Sequence, residues 1–128
     1  TQIFSPKTAG EVRTMLEMAV KPGGTAPMAQ IPGYRVAGKT GTAHKIEGGG
    51  YVNKYVSSFV GFAPVSDPRF IVAVMIDEPS AGQHYGGAVA APVFAEIMAS
   101  SLRAHGVPTD APLKPLIMAN APSSPEEM

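Results

Sequence analysis

Lys39-Thr40-Gly41-Thr42 places an ammonium, two hydroxyls and a residue without a side chain in four consecutive positions. Two chemistries use such a set. Read with Gly33, the segment Gly33 to Thr40 matches the phosphate-binding pattern G-x-x-x-x-G-K-[ST], in which loop N–H groups and a helix N-terminus hold a nucleotide. Read on extended backbone, the same residues line the wall of a cleft. There a lysine supplies positive potential for a carboxylate and a proton relay, threonine hydroxyls bind that carboxylate, and a glycine lets a ligand backbone lie against the strand.

The flanks decide between them. A phosphate cradle needs a strand before the first glycine and a helix after Lys-Thr. Ala26 to Pro32 carries two prolines, and Gly41 to Glu47 runs into Gly48-Gly49-Gly50, too short and too glycine-bounded for a helix. Tyr34-Arg35-Val36-Ala37 prefers extended backbone. The nucleotide-binding domain therefore stands as the lesser alternative, and the strand reading leads. Strict alternation along a strand would send Lys39 and Thr40 to opposite faces, a difficulty the sequence leaves open.

The rest of the chain supplies the elements that must position this stretch. Ser5-Pro6 starts a helix, and Val12, Met15, Leu16 and Ala19 recur on one stripe, with Glu17 and Lys21 as an i,i+4 pair. Pro22-Gly23-Gly24 ends it. Strands are predicted over 34–46, 51–64 and 69–77, the last with an unbroken apolar run that implies burial on both faces. The short Pro64 to Pro68 link makes the last two strands antiparallel neighbours, because a parallel crossover needs about a dozen residues. A second helix is predicted from Gly87 to His105, packed on the sheet, with Pro92 in its first turn or bending it. The fold class is α/β of the α+β type, an antiparallel sheet with helices on its faces, over residues 1–107. Residues 108–128, rich in Pro, Ala and Ser, read as a mobile tail.

Composition excludes several classes. Among 128 residues, ten Lys and Arg balance ten Asp and Glu, so there is no basic field to hold nucleic acid. The longest apolar run, Phe70 to Ile76, is far short of the roughly 20 residues that span a bilayer. Scattered histidines and no cysteine give no expected metal or cofactor site. Met15, Met18, Met75 and Met98 read as core filler, His44 as a solvated strand-end residue, and Asp77-Glu78 as strand-end groups rather than an acid/base pair.

The stretch Gly33 to Ala43 resembles the third-motif strand of the class B penicillin-binding proteins. So do Asn53-Lys54-Tyr55-Val56, Gly61-Phe62-Ala63-Pro64, Asp67-Pro68-Arg69-Phe70 and Tyr85 to Phe94. Order and spacing are most similar to the division-specific (septal) peptidoglycan D,D-transpeptidases over roughly residues 1 to 107. The resemblance implies an incomplete β-lactamase/transpeptidase-like fold. It assigns Lys39 to electrostatics and proton relay and Thr40 and Thr42 to the carboxylate of a peptidoglycan stem peptide or a β-lactam antibiotic. The Thr42 N–H would be an oxyanion donor, Gly41 would permit close approach, and Tyr85 would give an aromatic contact at the cleft rim. It also implies division-complex proteins as partners and a periplasmic domain anchored in the bacterial inner membrane. The family's Ser-x-x-Lys and Ser-x-Asn motifs do not occur here. The expectation is therefore one wall of an acyl-transfer site in a fragment of a longer polypeptide, inactive alone; a non-catalytic interaction module of the same fold is the other alternative.

Overall fold

Ser5 opens the first helix as expected: its hydroxyl accepts from the Thr8 N–H at 3.1 Å, and Pro6 occupies the first turn, where its missing N–H costs nothing. The computed structural model describes residues 1–112. In chain order it contains helix α1 (Pro6–Met18), strands β1 (Ala37–Glu47), β2 (Gly50–Ala63) and β3 (Phe70–Asp77), a short helix α2 (Gly86–Val89) and helix α3 (Ala91–Ala104), with a 3-10 turn at Pro27–Ala29. The strands form one antiparallel sheet in the order β1-β2-β3, so β1 and β3 are its edges.

Two boundaries differ from the sequence reading. The first strand begins at Ala37 instead of Tyr34, because Gly33 takes a positive φ and the Tyr34 N–H turns back onto the Ile31 carbonyl. The expected helix from Gly87 is two pieces, α2 and α3. Pro92 has no N–H with which to continue the hydrogen-bond ladder of α2, so it begins a new helix in its first turn. Its far end closes in a Schellman arrangement: Gly106 at φ +60° donates to Arg103, and Val107 donates to Leu102 while both apolar side chains enter the core.

Alternation along β2 buries Ser57, Phe59 and Ala63 on the face that α3 covers, where Phe59 meets Phe94 edge-on at 4.7 Å above Met98, Leu102 and Val74. The other face is open. Ile71 is 76% and Met75 74% exposed, so the expectation that β3 is buried on both sides fails: among the described residues, no helix layer lies over the face that carries them. Met15 and Met18 are exposed on α1 as well, and only Met98 fills the core as expected.

Glu17 does not pair with Lys21. Its carboxylate takes both prongs of the Arg35 guanidinium at 2.8 Å each, joining α1 to the approach of β1. Planar bidentate geometry wins over a flexible ammonium on the same helix. The opening of the expected tail is tied in: the Arg35 N–H and the Ser66 N–H and hydroxyl donate to the Asp110 carboxylate, and the Gly33 carbonyl accepts from the N–H groups of Asp110 and Ala111. The rest of that expectation, 113–128, lies outside the described residues.

Candidate active site

The nucleotide alternative ends at the backbone. Lys39 to Thr42 are inside β1, registered against Val60 to Ser57, and the strand runs on to Glu47 instead of passing into a helix. Their peptide groups belong to a strand, not to a phosphate-cradling loop.

The register also resolves the alternation difficulty. Thr40 and Thr42 oppose Phe59 and Ser57 on the core face, and Lys39 opposes Val60 on the other. The lysine stem nonetheless curls along the strand: its Nζ donates to the Thr40 carbonyl at 3.0 Å and to the Thr40 hydroxyl at 3.1 Å. Four methylenes let the charge reach across an edge strand that a shorter side chain could not cross. Lys45 and Lys54 are paired with carboxylates, whereas Lys39 has none within ion-pair distance among the described residues. Hydrogen bonds to Glu78 and Asp77 raise the Lys45 pKa, and both acids are spent on that contact, as the strand-end reading expected.

Two partners of this cluster escaped the sequence reading. Thr25, in the loop after α1, places its hydroxyl 3.5 Å from that of Thr40. Gly86 donates its N–H to the Thr42 hydroxyl at 3.1 Å. The signal for the second was Gly86-Gly87 directly before a helix. A Cβ on Gly86 would strike the Ser58 carbonyl and the Gly41 backbone, and one on Gly87 would strike the Thr25 carbonyl. At Gly41 itself, the space of a side chain is already taken by the Ser58 hydroxyl.

A groove of about 700 Å³ runs between the end of α1, the Pro22 to Thr25 loop and Lys39. A second cavity of about 650 Å³, beside Glu17, Val20, Tyr34 and Arg35, contains none of the motif residues. Near Thr42 the rim is aromatic: Tyr55 stacks on His84 at 3.8 Å, His84 meets Tyr85 at 4.5 Å, and His44 meets Tyr55 at 4.5 Å. Tyr85 is exposed beside the motif strand, and His44 is exposed yet lies tilted against Tyr55. Among the described residues no group of His, Cys, Asp and Glu could hold a metal ion, and no helix is long and apolar enough to cross a membrane.

Residues 1–99 match the family described as the penicillin-binding protein transpeptidase domain. The chain is 46% identical to the peptidoglycan D,D-transpeptidase FtsI of Escherichia coli over 86% of its length and 19% of that protein's. It is 48% identical to the probable peptidoglycan D,D-transpeptidase PenA of Neisseria gonorrhoeae over 92% of its length and 20% of that protein's. The solved transpeptidase domain of penicillin-binding protein 3 from Burkholderia pseudomallei superposes with a TM-score of 0.80 at 56% identity, over 88% of this chain and 34% of that one. The chain thus spans about a fifth of the length of these curated relatives and a third of the solved domain. A Lys-Thr-Gly edge strand, the sheet behind it and these matches agree: the chain belongs to the penicillin-binding protein transpeptidase domain family.

Proposed function

We propose that this chain is the Lys-Thr-Gly wall of a serine acyl-transfer site that cross-links peptidoglycan stem peptides during cell division and is acylated by β-lactams. The observation that carries the reading is Lys39, a cation without a carboxylate partner among the described residues, held against the Thr40 hydroxyl and carbonyl on an edge strand. An edge strand offers backbone groups to an extended peptide, and the cluster beside it offers donors to a carboxylate.

In this mechanism a serine from outside the chain attacks the scissile carbonyl, and Lys39 carries positive potential for the proton relay and the substrate carboxylate. Thr40 and Thr42 bind that carboxylate, the Thr42 N–H stabilises the developing oxyanion, and Tyr85 contacts the ligand at the rim. The uncovered sheet face and α1 stripe take the remainder of the transpeptidase domain. The working protein is a periplasmic domain anchored in the inner membrane among division-complex partners.

A fluorescent penicillin added to the complete domain carrying this chain tests the reading. Covalent labelling that weakens in Thr40→Val and Thr42→Val supports it. A complete domain that takes no label points to a non-catalytic module of the same fold.

A further inference from the structure

The Thr42 hydroxyl has one proton and two acceptor lone pairs. One lone pair is filled by the Gly86 N–H at 3.1 Å, and the hydroxyl proton has no acceptor among the described residues. We infer that Gly86 and Ser57 are positioning residues that fix the direction of the Thr42 hydroxyl proton, making the site favour a carboxylate over a neutral acceptor. The inference rests on the proposal that Thr42 binds the substrate carboxylate.

The placement of Gly86 is over-determined. Ser57, the cross-strand partner of Thr42 and fully buried, donates its hydroxyl to the His84 carbonyl, tying down the residue two positions before Gly86. Gly86 itself lies against the Ser58 carbonyl and the Gly41 backbone, and Gly87 lies against the Thr25 carbonyl. The segment from His84 to Gly87 is therefore held by β2, β1 and the loop after α1 together. Its N–H cannot drift from Thr42, and a threonine's branched side chain has few rotamers with which to escape.

Thr40 follows the same logic. Lys39 donates to its hydroxyl at 3.1 Å, which leaves the Thr40 proton only a long 3.5 Å contact to Thr25. Both hydroxyls thus accept from the protein; Thr42 keeps its proton free, Thr40 gives its own only to the long contact with Thr25, and Lys39 adds a further donor. A carboxylate satisfies such a set. A neutral ester accepts more weakly, and an amide brings N–H groups for which the set offers no dedicated acceptor.

The test compares second-order acylation rate constants of the complete domain for a penicillin with a free carboxylate and for its methyl ester. Ser57→Ala removes the tie to His84 without adding bulk, and Gly86→Ala pushes the N–H away from Thr42. Each is expected to lower the acid-to-ester ratio about tenfold, the worth of one charge-assisted hydrogen bond; the ester rate stays nearly unchanged in Ser57→Ala and falls less than the acid rate in Gly86→Ala, whose Cβ also presses on the Gly41 backbone. If both rates fall together and the ratio holds, the residues are merely structural and the inference is overturned. Should Gly86→Ala fail to fold, Ser57→Ala decides alone. Thr42→Val separates the two levels: a ratio it does not move overturns the carboxylate reading and the inference with it. A ratio that falls in Thr42→Val but not in Ser57→Ala overturns the inference alone.

Discussion

Replacing Arg35 with Met should cost the complete domain about 2–3 kcal/mol near neutral pH. The Glu17 side chain is only 10% exposed and directs both oxygens to the guanidinium at 2.8 Å, so the substitution leaves a nearly buried carboxylate unpaired. Breaking a fully buried pair costs about 3–5 kcal/mol; the Arg35 side chain is 44% exposed, water reaches the pair from that side, and the expected loss is smaller. The pH dependence gives the claim its sign. The hydrogen bond from Arg35 holds the Glu17 carboxyl below the usual carboxylate range against the opposing effect of burial. A carboxylate with a lowered native pKa stabilises above its unfolded pKa and loses that contribution as pH falls through the native value. In Arg35→Met the hydrogen bond is lost, and burial, the largest influence that remains, raises the Glu17 pKa, with the Asp110 charge adding to it and Lys21 opposing. The gap between wild type and variant should therefore be full at neutrality, begin to shrink above the usual glutamate pKa of about 4.3 as the variant's Glu17 takes up its proton, and go on shrinking until pH falls through the lowered wild-type value. Urea denaturation across that range measures it. Adding Glu17→Gln to Arg35→Met should recover most of the loss, since no charge is then stranded. A neutral-pH gap under about 0.5 kcal/mol, or one that persists undiminished in acid, would refute the reasoning.

Phe94→Ala should destabilise the complete domain by about 3–5 kcal/mol in the same denaturation assay, because it empties the space against Phe59 in the centre of the core. A loss under about 1 kcal/mol would mean the sheet and α3 do not share that core. Ile71→Ser with Met75→Ser should lower binding of a hydrophobic dye by the isolated chain, whose sheet face is uncovered, yet destabilise the complete domain by about 1–3 kcal/mol per residue. No penalty in the complete domain would mean that this face stays wet.

The antiparallel neighbours β2 and β3, the cap at Ser5 and the stop at Gly106 were legible because each follows from local rules: short links, a capping hydroxyl, a positive φ. Lys39-Thr40-Gly41-Thr42 was legible as a strand from its flanks alone. What the sequence concealed was tertiary. Nothing local says that Glu17 will choose Arg35, eighteen positions away, over Lys21. The apolar run of β3 described two buried faces, but burial depends on what lies above each face, and the residues described here supply a helix layer for one. Gly86 and Ser57 were passed over for the same reason. Their importance to Thr42 comes from the register of β1 on β2 and from a loop folding back over both.

The central claim, that Lys39 serves an acyl-transfer site, is tested most directly by the acylation rate constant of the complete domain with a fluorescent penicillin, measured for wild type and Lys39→Ala. Loss of a positioned cation that supports proton transfer and oxyanion formation should slow acylation about 10²–10⁴-fold while the fold is retained. A rate within about threefold of wild type would contradict the account, since a well-folded domain would then acylate without the charge that the motif strand presents.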